Sequence, residues 1–353
     1  MYAEEAEILW KRGTILKEVK LIDGSSGVSP LGPSNKVKAA VRKAVKRISN
    51  RPDLEMAGLK RLFKSKYGIS PENLLFANSL KELIYLVPLV LKPARVLIAG
   101  PALNIYEDAA ASAGAEVSYI SAMGTDGLAF GTSRIEEHLD NIDLVFLANP
   151  NRVTGRLISR RLIQEILTLK AGENTHFVID EALIDFAGPD DCREDIVHDN
   201  ITILRTTADY YGVPGLELAC AVSSPEVIRS YDKKRPWEMN LLSVEAARTA
   251  YKDSTYSKAI KRYMSAEKKM LFRLLRKLDW IEAYETDANI FLAKIAKDPE
   301  EVALKLKRAG LDIRDCSDIK GLDRSFFRIS VMKHEHNLKL ISVLNSLNQT
   351  ETL

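Results

Sequence analysis

The stretch Ile201 to Val222, ITILRTTADYYGVPGLELACAV, decides the fold. Ile201, Ile203 and Leu204 form an apolar run, polar residues follow, and Gly212, Pro214 and Gly215 mark a tight turn before a second run from Leu216 to Val222. Short apolar runs bounded by glycine and proline read as strands, so the stretch is a strand, a turn and a second strand. Upstream, strands are expected in ENLLFAN (72–78), RVLIAG (95–100), AEVSYI (115–120), DLVFLANP (143–150), HFVID (176–180) and NITILR (200–205). Between them Ser79 to Leu91, Asn104 to Ala113 and Ser159 to Lys170 carry helical periodicity. Strands that are apolar throughout, alternating with crossover helices, give an α/β fold whose mostly parallel sheet is covered on both faces. Ligands of such sheets bind at the carboxyl ends of the strands.

Residues 1–20 read as a short helix or arm, and LIDGSSGVSPLGPS (21–34), dense in Gly, Ser and Pro, reads as a loop. Lys36 to Ile48 is an amphipathic helix with Val37, Ala40, Val41, Ala44 and Val45 on its apolar face. Its basic side chains make a solvated face rather than a polyanion site. After KKRPWEMN (233–240) the composition changes: a charged amphipathic helix spans Ser257 to Leu278. Short strands (WIEAYE, NIFLAKI, LDIRDC, FFRISVM) and helices over 298–309 and 334–347 follow. The expected organisation is an N-terminal arm and loop (1–35) packing with the small domain, a large α/β domain (36–232) and a small α+β domain (233–353).

The 51 basic and 48 acidic residues leave a net charge of +3, too balanced to call for a nucleic-acid or membrane partner. The N-terminus MYAEEAEILWKRG lacks the basic start and apolar run of a signal peptide, and no apolar stretch approaches the ~20 residues of a membrane span. Three scattered cysteines, Cys192, Cys220 and Cys316, suit a reducing cytoplasm. His334-Glu335-His336 lacks a spaced partner set and reads as surface rather than metal site. No Ser-His-Asp or Cys-His arrangement has supporting spacing.

The deciding stretch resembles the cofactor-lysine segment of fold-type I pyridoxal-phosphate enzymes, in particular histidinol-phosphate aminotransferases and threonine-phosphate decarboxylases. In that family it runs roughly L-R-S-x-S-K-x-Y-G-L-x-G-L-R, and the lysine carries the cofactor as an imine. Leu204-Arg205, Tyr211-Gly212 and Pro214-Gly215-Leu216 fix the register and align Asp209 with the lysine. A carboxylate cannot form a Schiff base, which needs a nucleophilic amine. No lysine occurs from Ala171 to Asp232.

The resemblance extends to most of the site. Asp180 in VIDEALIDF matches the aspartate that pairs with the pyridine nitrogen and makes the ring an electron sink; the plainer reading is a carboxylate capping the turn after a strand. Leu183 stands where the family has a tyrosine. In ANPNRVTGR (148–156), Asn149, Pro150, Asn151, Thr154 and Gly155 match, while Arg152 replaces an asparagine and is larger and charged. The phosphate cradle, a glycine-containing turn at a helix start, keeps Asn78 but reads Ser79-Leu80-Lys81. Thr206 and Ala208 stand for its two serines, and Glu217 for its arginine. A carboxylate there opposes a phosphate dianion by charge. Tyr106 matches an aromatic that stacks on the ring, or packs on the sheet as an ordinary helix residue. Arg51 replaces a tyrosine that reaches the phosphate of the neighbouring subunit, and KKRPWEMN resembles a segment of the decarboxylase branch. Arg328 in FFRISV matches the arginine that binds the substrate carboxylate, with Asn289 in the adjoining strand.

The departures fall together on the contacts of one ligand, while scaffold residues remain. The expected reading is a homologue that has lost covalent pyridoxal-phosphate chemistry, carries no cofactor, and fills the vacated place with an Arg152–Asp209 ion pair. One alternative is an aminotransferase or decarboxylase acting on an amino acid phosphate, with non-covalent pyridoxamine phosphate or a substitute lysine such as Lys81, Lys233 or Lys234. The other is a cofactor-free acid–base enzyme using Asp180, Asp209 and Arg328 on a carboxylate substrate. The resemblance implies a homodimer. A small carboxylate or phosphate ligand is the candidate for Arg51 and Arg328.

Overall fold

The computed structural model describes residues 21–50, 53, 55–121, 135, 137–169, 175–187, 200–235 and 238–347. The expected arm over 1–20, together with Arg51 and Cys192, lies outside these residues. After β1 (Ile22–Asp23), seven strands make one sheet: β2 (Leu74–Ala77), β3 (Arg95–Gly100), β4 (Glu116–Ser121), β5 (Leu144–Ala148), β6 (His176–Asp180), β7 (Ile201–Thr206) and β8 (Ala219–Val222). Their spatial order is β2-β8-β7-β6-β5-β3-β4. All neighbours pair in parallel except β8, which runs antiparallel to both β2 and β7.

Alternation along each strand divides the core into two layers. Val96, Ile98, Phe146, Val178 and Leu204 face one way, onto Leu83, Val87, Tyr106 and Ala109 of the helices Leu80–Leu91 and Ile105–Ser112. Leu97, Val145, Leu147, Phe177 and Ile203 face the other way, onto a larger cluster that includes Phe63, Tyr211, Tyr251 and Ile260. Most side chains on either face are therefore apolar, and the buried polar ones, such as His176, Thr202 and Arg205, find hydrogen-bond partners within the chain.

The C-terminal part forms a four-stranded antiparallel sheet of β9 (Ile281–Ala283), β10 (Ile290–Ile295), β12 (Arg314–Asp315) and β13 (Phe326–Ser330), in the order β12-β13-β10-β9. Before β12 comes β11 (Leu311–Asp312), which pairs in parallel with β1 through Ile22–Leu311 and Asp23–Asp312.

Three sequence expectations change in detail. The strand read from Leu216 begins only at Ala219, because Pro214–Leu216 forms a single 3₁₀ turn. The long helix runs Ser254–Leu275 rather than 257–278, started by the Asp253 carboxylate accepting the Tyr256 N–H. Val45, placed on the apolar face of its helix, is 47% exposed, since the helix Asn35–Val45 ends there and leaves it at the rim. Among the described residues no helix is long and apolar enough to cross a membrane.

Candidate functional site

The carboxyl ends of the parallel strands bring the candidate residues to one edge of the sheet. Asp180 ends β6, the 149–155 loop follows β5, Thr206 ends β7, and Asn78 and Ser79 follow β2. β8 runs the opposite way, so its start, not its end, reaches this edge and delivers Glu217. Asn151 fixes the 149–155 loop: its side-chain oxygen accepts the Val153 and Thr154 N–H groups at 2.9 and 3.0 Å, and its amide donates to the Pro101 carbonyl at 2.9 Å. Gly155 needs its positive φ of 72°, and any Cβ there would collide with Thr286 Oγ1 and the Ile290 carbonyl.

Asp180 is buried and fully engaged. Tyr106 Oη donates to its Oδ2 at 2.6 Å, the Ala182 N–H donates to its Oδ1 at 2.9 Å, and Arg152 Nη1 lies 3.7 Å from Oδ2. Burial and the Asp180 charge together push the Tyr106 phenol well above its ordinary pKa, so it stays a donor. Tyr106 thus packs within the helix–sheet layer, its ring 5.2 Å from that of Phe146, with its hydroxyl on Asp180.

Arg152 also reaches Asp209, Nη2 to Oδ2 at 3.8 Å. The expected Arg152–Asp209 pair therefore forms, and Arg152 bridges two carboxylates. Burial works against the guanidinium charge, but Asp180 and Asp209 outweigh it and hold its pKa above the usual value. Burial raises the Asp209 carboxyl to about 6; Arg152 opposes the rise, and Glu217 adds to it.

Arg328 is turned toward backbone. Its Nη1 donates to the Arg152 carbonyl at 2.7 Å and its Nη2 to the Ser25 carbonyl at 2.5 Å, while Nε is buried without a hydrogen-bond partner. Burial, with Arg152 nearby, lowers its pKa to about 10. The Asn289 amide donates to the Gly27 carbonyl, so both residues of the C-terminal sheet hold the 21–34 loop. Leu183 packs with Ala288 and Ile290 in a small apolar cluster.

At the helix start after β2, Ser79 Oγ accepts the Glu82 N–H at 3.1 Å and Glu82 Oε2 accepts the Asn78 N–H at 2.9 Å. This reciprocal cap was readable as Ser-x-x-Glu. Glu217 Oε1 accepts the Leu80 N–H at 3.0 Å and the Thr206 hydroxyl at 2.5 Å, and Thr206 Oγ1 accepts the Ala208 N–H at 3.1 Å. Lys81, Lys233 and Lys234 are all exposed. Among the described residues no cluster of three or more His, Cys, Asp or Glu could hold a metal ion, and Cys220 and Cys316 are buried and unpaired with each other.

A family profile for class I and II aminotransferases matches residues 20–344. The chain belongs to that family. Histidinol-phosphate aminotransferase 2 of Archaeoglobus fulgidus is 31% identical over 333 residues, 93% of either chain. The threonine-phosphate decarboxylase of Salmonella typhimurium is 28% identical over 332 residues, 93% of this chain and 91% of its own. The crystal structure of the histidinol-phosphate aminotransferase from Clostridium acetobutylicum superposes with a TM-score of 0.87 at 23% identity, covering 94% of this chain and all (100%) of the other.

This aminotransferase-family chain has groups at the strand ends that do not fit the phosphate of a pyridoxal cofactor as they are arranged here. The Leu80 N–H and the Thr206 hydroxyl, the donors that would face it, already serve the Glu217 carboxylate. An added phosphate would meet an anion rather than an arginine.

Proposed function

We propose that this chain is a non-catalytic member of its family, a binding or regulatory protein that has given up covalent pyridoxal-phosphate chemistry, with Asp209 at the position of the cofactor lysine. The observation that carries this reading is the placing of Arg152 between Asp180 and Asp209. A guanidinium bridging those carboxylates stands where the cofactor ring would have to lie between its aspartate partner and its lysine. Two carboxylates brought together without it would repel, so the cation is part of the folded state rather than a tolerated change. The exposure of Lys81, Lys233 and Lys234 counts against a substitute lysine.

The test is the visible absorption spectrum of the purified protein before and after pyridoxal phosphate is added and dialysed away. The reading expects no retained band and no rise in melting temperature with either cofactor form. A retained imine band that borohydride bleaches would overturn it. On this reading the ligand is a small carboxylate compound, the assembly is a cytoplasmic homodimer, and the units are 1–35, 36–232 and 233–353. Light scattering in solution checks the dimer.

One observation favours a second reading, a cofactor-free acid–base enzyme: the Asp209 carboxyl sits at about 6, near the pH at which it would have to exchange protons. A panel of small carboxylates that yields turnover abolished by Asp209→Asn would establish it over the first.

A further inference from the structure

Glu217 stands at the intersection of two features the strand order forces together. The helix Leu80–Leu91 opens at this edge with N–H groups that have no partner within the helix and with the positive end of its dipole. β7 ends beside it with the Thr206 hydroxyl, and the antiparallel β8, starting at Ala219, brings in Glu217 from two residues before it. One carboxylate oxygen of Glu217 accepts from both the Leu80 N–H and the Thr206 hydroxyl. A helix-start N–H and a hydroxyl converging on a single anionic oxygen is how proteins hold a phosphate oxygen. Three further donors nearby are also satisfied from within the chain: Glu82 N–H by Ser79, Asn78 N–H by Glu82, and Ala208 N–H by Thr206.

We propose that Glu217 is a built-in anion: it occupies the cradle in place of a phosphate group and keeps phosphate monoesters out of this site. The assignment rests on the reading above that the chain works without its family's cofactor, and it adds the means of exclusion. Because the carboxylate is tethered, it meets its donors at a high effective concentration that any dissolved ligand has to outcompete. A phosphate that entered without displacing it would lie against a negative charge, and one that displaced it would leave that charge beside its own. Asp209 and Arg152 both feel the Glu217 charge, so the internal anion also belongs to the charge balance of the wider site.

The experiment is a titration of the wild-type protein, Glu217→Gln and Glu217→Ser with inorganic phosphate, read by calorimetry and by the shift in melting temperature, with chloride at matched ionic strength as control. The wild type should show no saturable response. Glu217→Ser, which removes the carboxylate, frees the Leu80 N–H and the Thr206 hydroxyl and adds a hydroxyl of its own, should bind phosphate at least about tenfold more tightly than the wild type. Glu217→Gln, nearly isosteric and uncharged, should fall between the two and serves where the serine variant fails to fold. Saturable phosphate binding by the wild type, or a Glu217→Ser protein that folds and gains nothing, overturns the proposal. Should neither variant fold, the wild-type titration decides alone, its lack of response supporting the assignment. Inorganic phosphate has no aldehyde, so this outcome is independent of imine formation: a borohydride-trapped imine would defeat the functional reading, while a phosphate-indifferent Glu217→Ser would defeat the internal anion.

Discussion

Asp209 is the residue whose titration carries the most information. Its folded carboxyl lies at about 6 against an ordinary 3.8, mainly because burial disfavours the charged form. A raised carboxyl pKa means the fold prefers the proton. Stability from this group is therefore present below the unfolded value and falls as pH rises through about 6. The gap corresponds to on the order of 3 kcal/mol at neutral pH. Asp209→Asn should accordingly be more stable than the wild type at pH 7 by up to that order, with the advantage shrinking toward pH 4; chemical denaturation at the two pH values checks it. The site's charged members, Asp180, Arg152, Asp209 and Glu217, were all legible in the sequence because each stands at a motif position that the flanking residues fix. The Arg152–Asp209 pair was legible with them, but their other partners were not. Nothing in the sequence says that Tyr106 turns its hydroxyl onto Asp180, or that Arg328 faces two carbonyls instead of a ligand, because those contacts join residues far apart in the chain. Arg328→Lys keeps the charge but not the fork, so one carbonyl link should be lost at about 1–2 kcal/mol, seen as a lower denaturation midpoint.

At the level of elements, the turn between β7 and β8 rests on backbone geometry. Gly212 has φ +64°, and a Cβ there would lie 2.7 Å from the backbone of Gly32. No flexible side chain can yield to it, so Gly212→Ala should cost about 2 kcal/mol or more from the left-handed conformation and the collision together. Urea unfolding with an unchanged m-value and a lower midpoint would bear this out. The sequence marked this turn correctly by its glycines and proline. It did not reveal where β8 begins, because the run from Leu216 is apolar throughout and only the 3₁₀ turn separates its first residues from the strand. Helix ends shifted for a similar reason: an Asp253 cap outcompetes a periodicity that continues on both sides.

Over the whole molecule, the mostly parallel α/β sheet was legible in apolar runs, buried on both faces, that alternate with helices; the spatial order of its strands was not, because pairing between distant strands leaves no local mark. His176 gives that burial a pH signature. Burial holds its imidazole neutral, with the pKa lowered from 6.5 to about 4, and its Nε2 shares a hydrogen bond with Thr202 Oγ1 at 2.8 Å. On unfolding it would protonate near 6.5, so its contribution is intact above that pH and is lost as pH falls toward 4, by up to about 3 kcal/mol. Asp209 works in the opposite sense across the same interval. His176→Gln should therefore flatten the acid side of a melting-temperature profile, and Asp209→Asn should steepen it.

The first strand has a consequence for the order in which the chain acquires its shape. Among the described residues β1 finds its ladder only on β11, Ile22 against Leu311, and the loop after it is tied down by Asn289 and Arg328. The earliest described segment to leave the ribosome therefore waits for nearly the last. Until Asn289 has emerged, the 21–34 loop lacks all of these anchors, and contacts of such long separation form slowly. Chains stalled before that point should leave the 21–34 loop open to proteases, while the seven-stranded sheet, all of its strands already made, resists them.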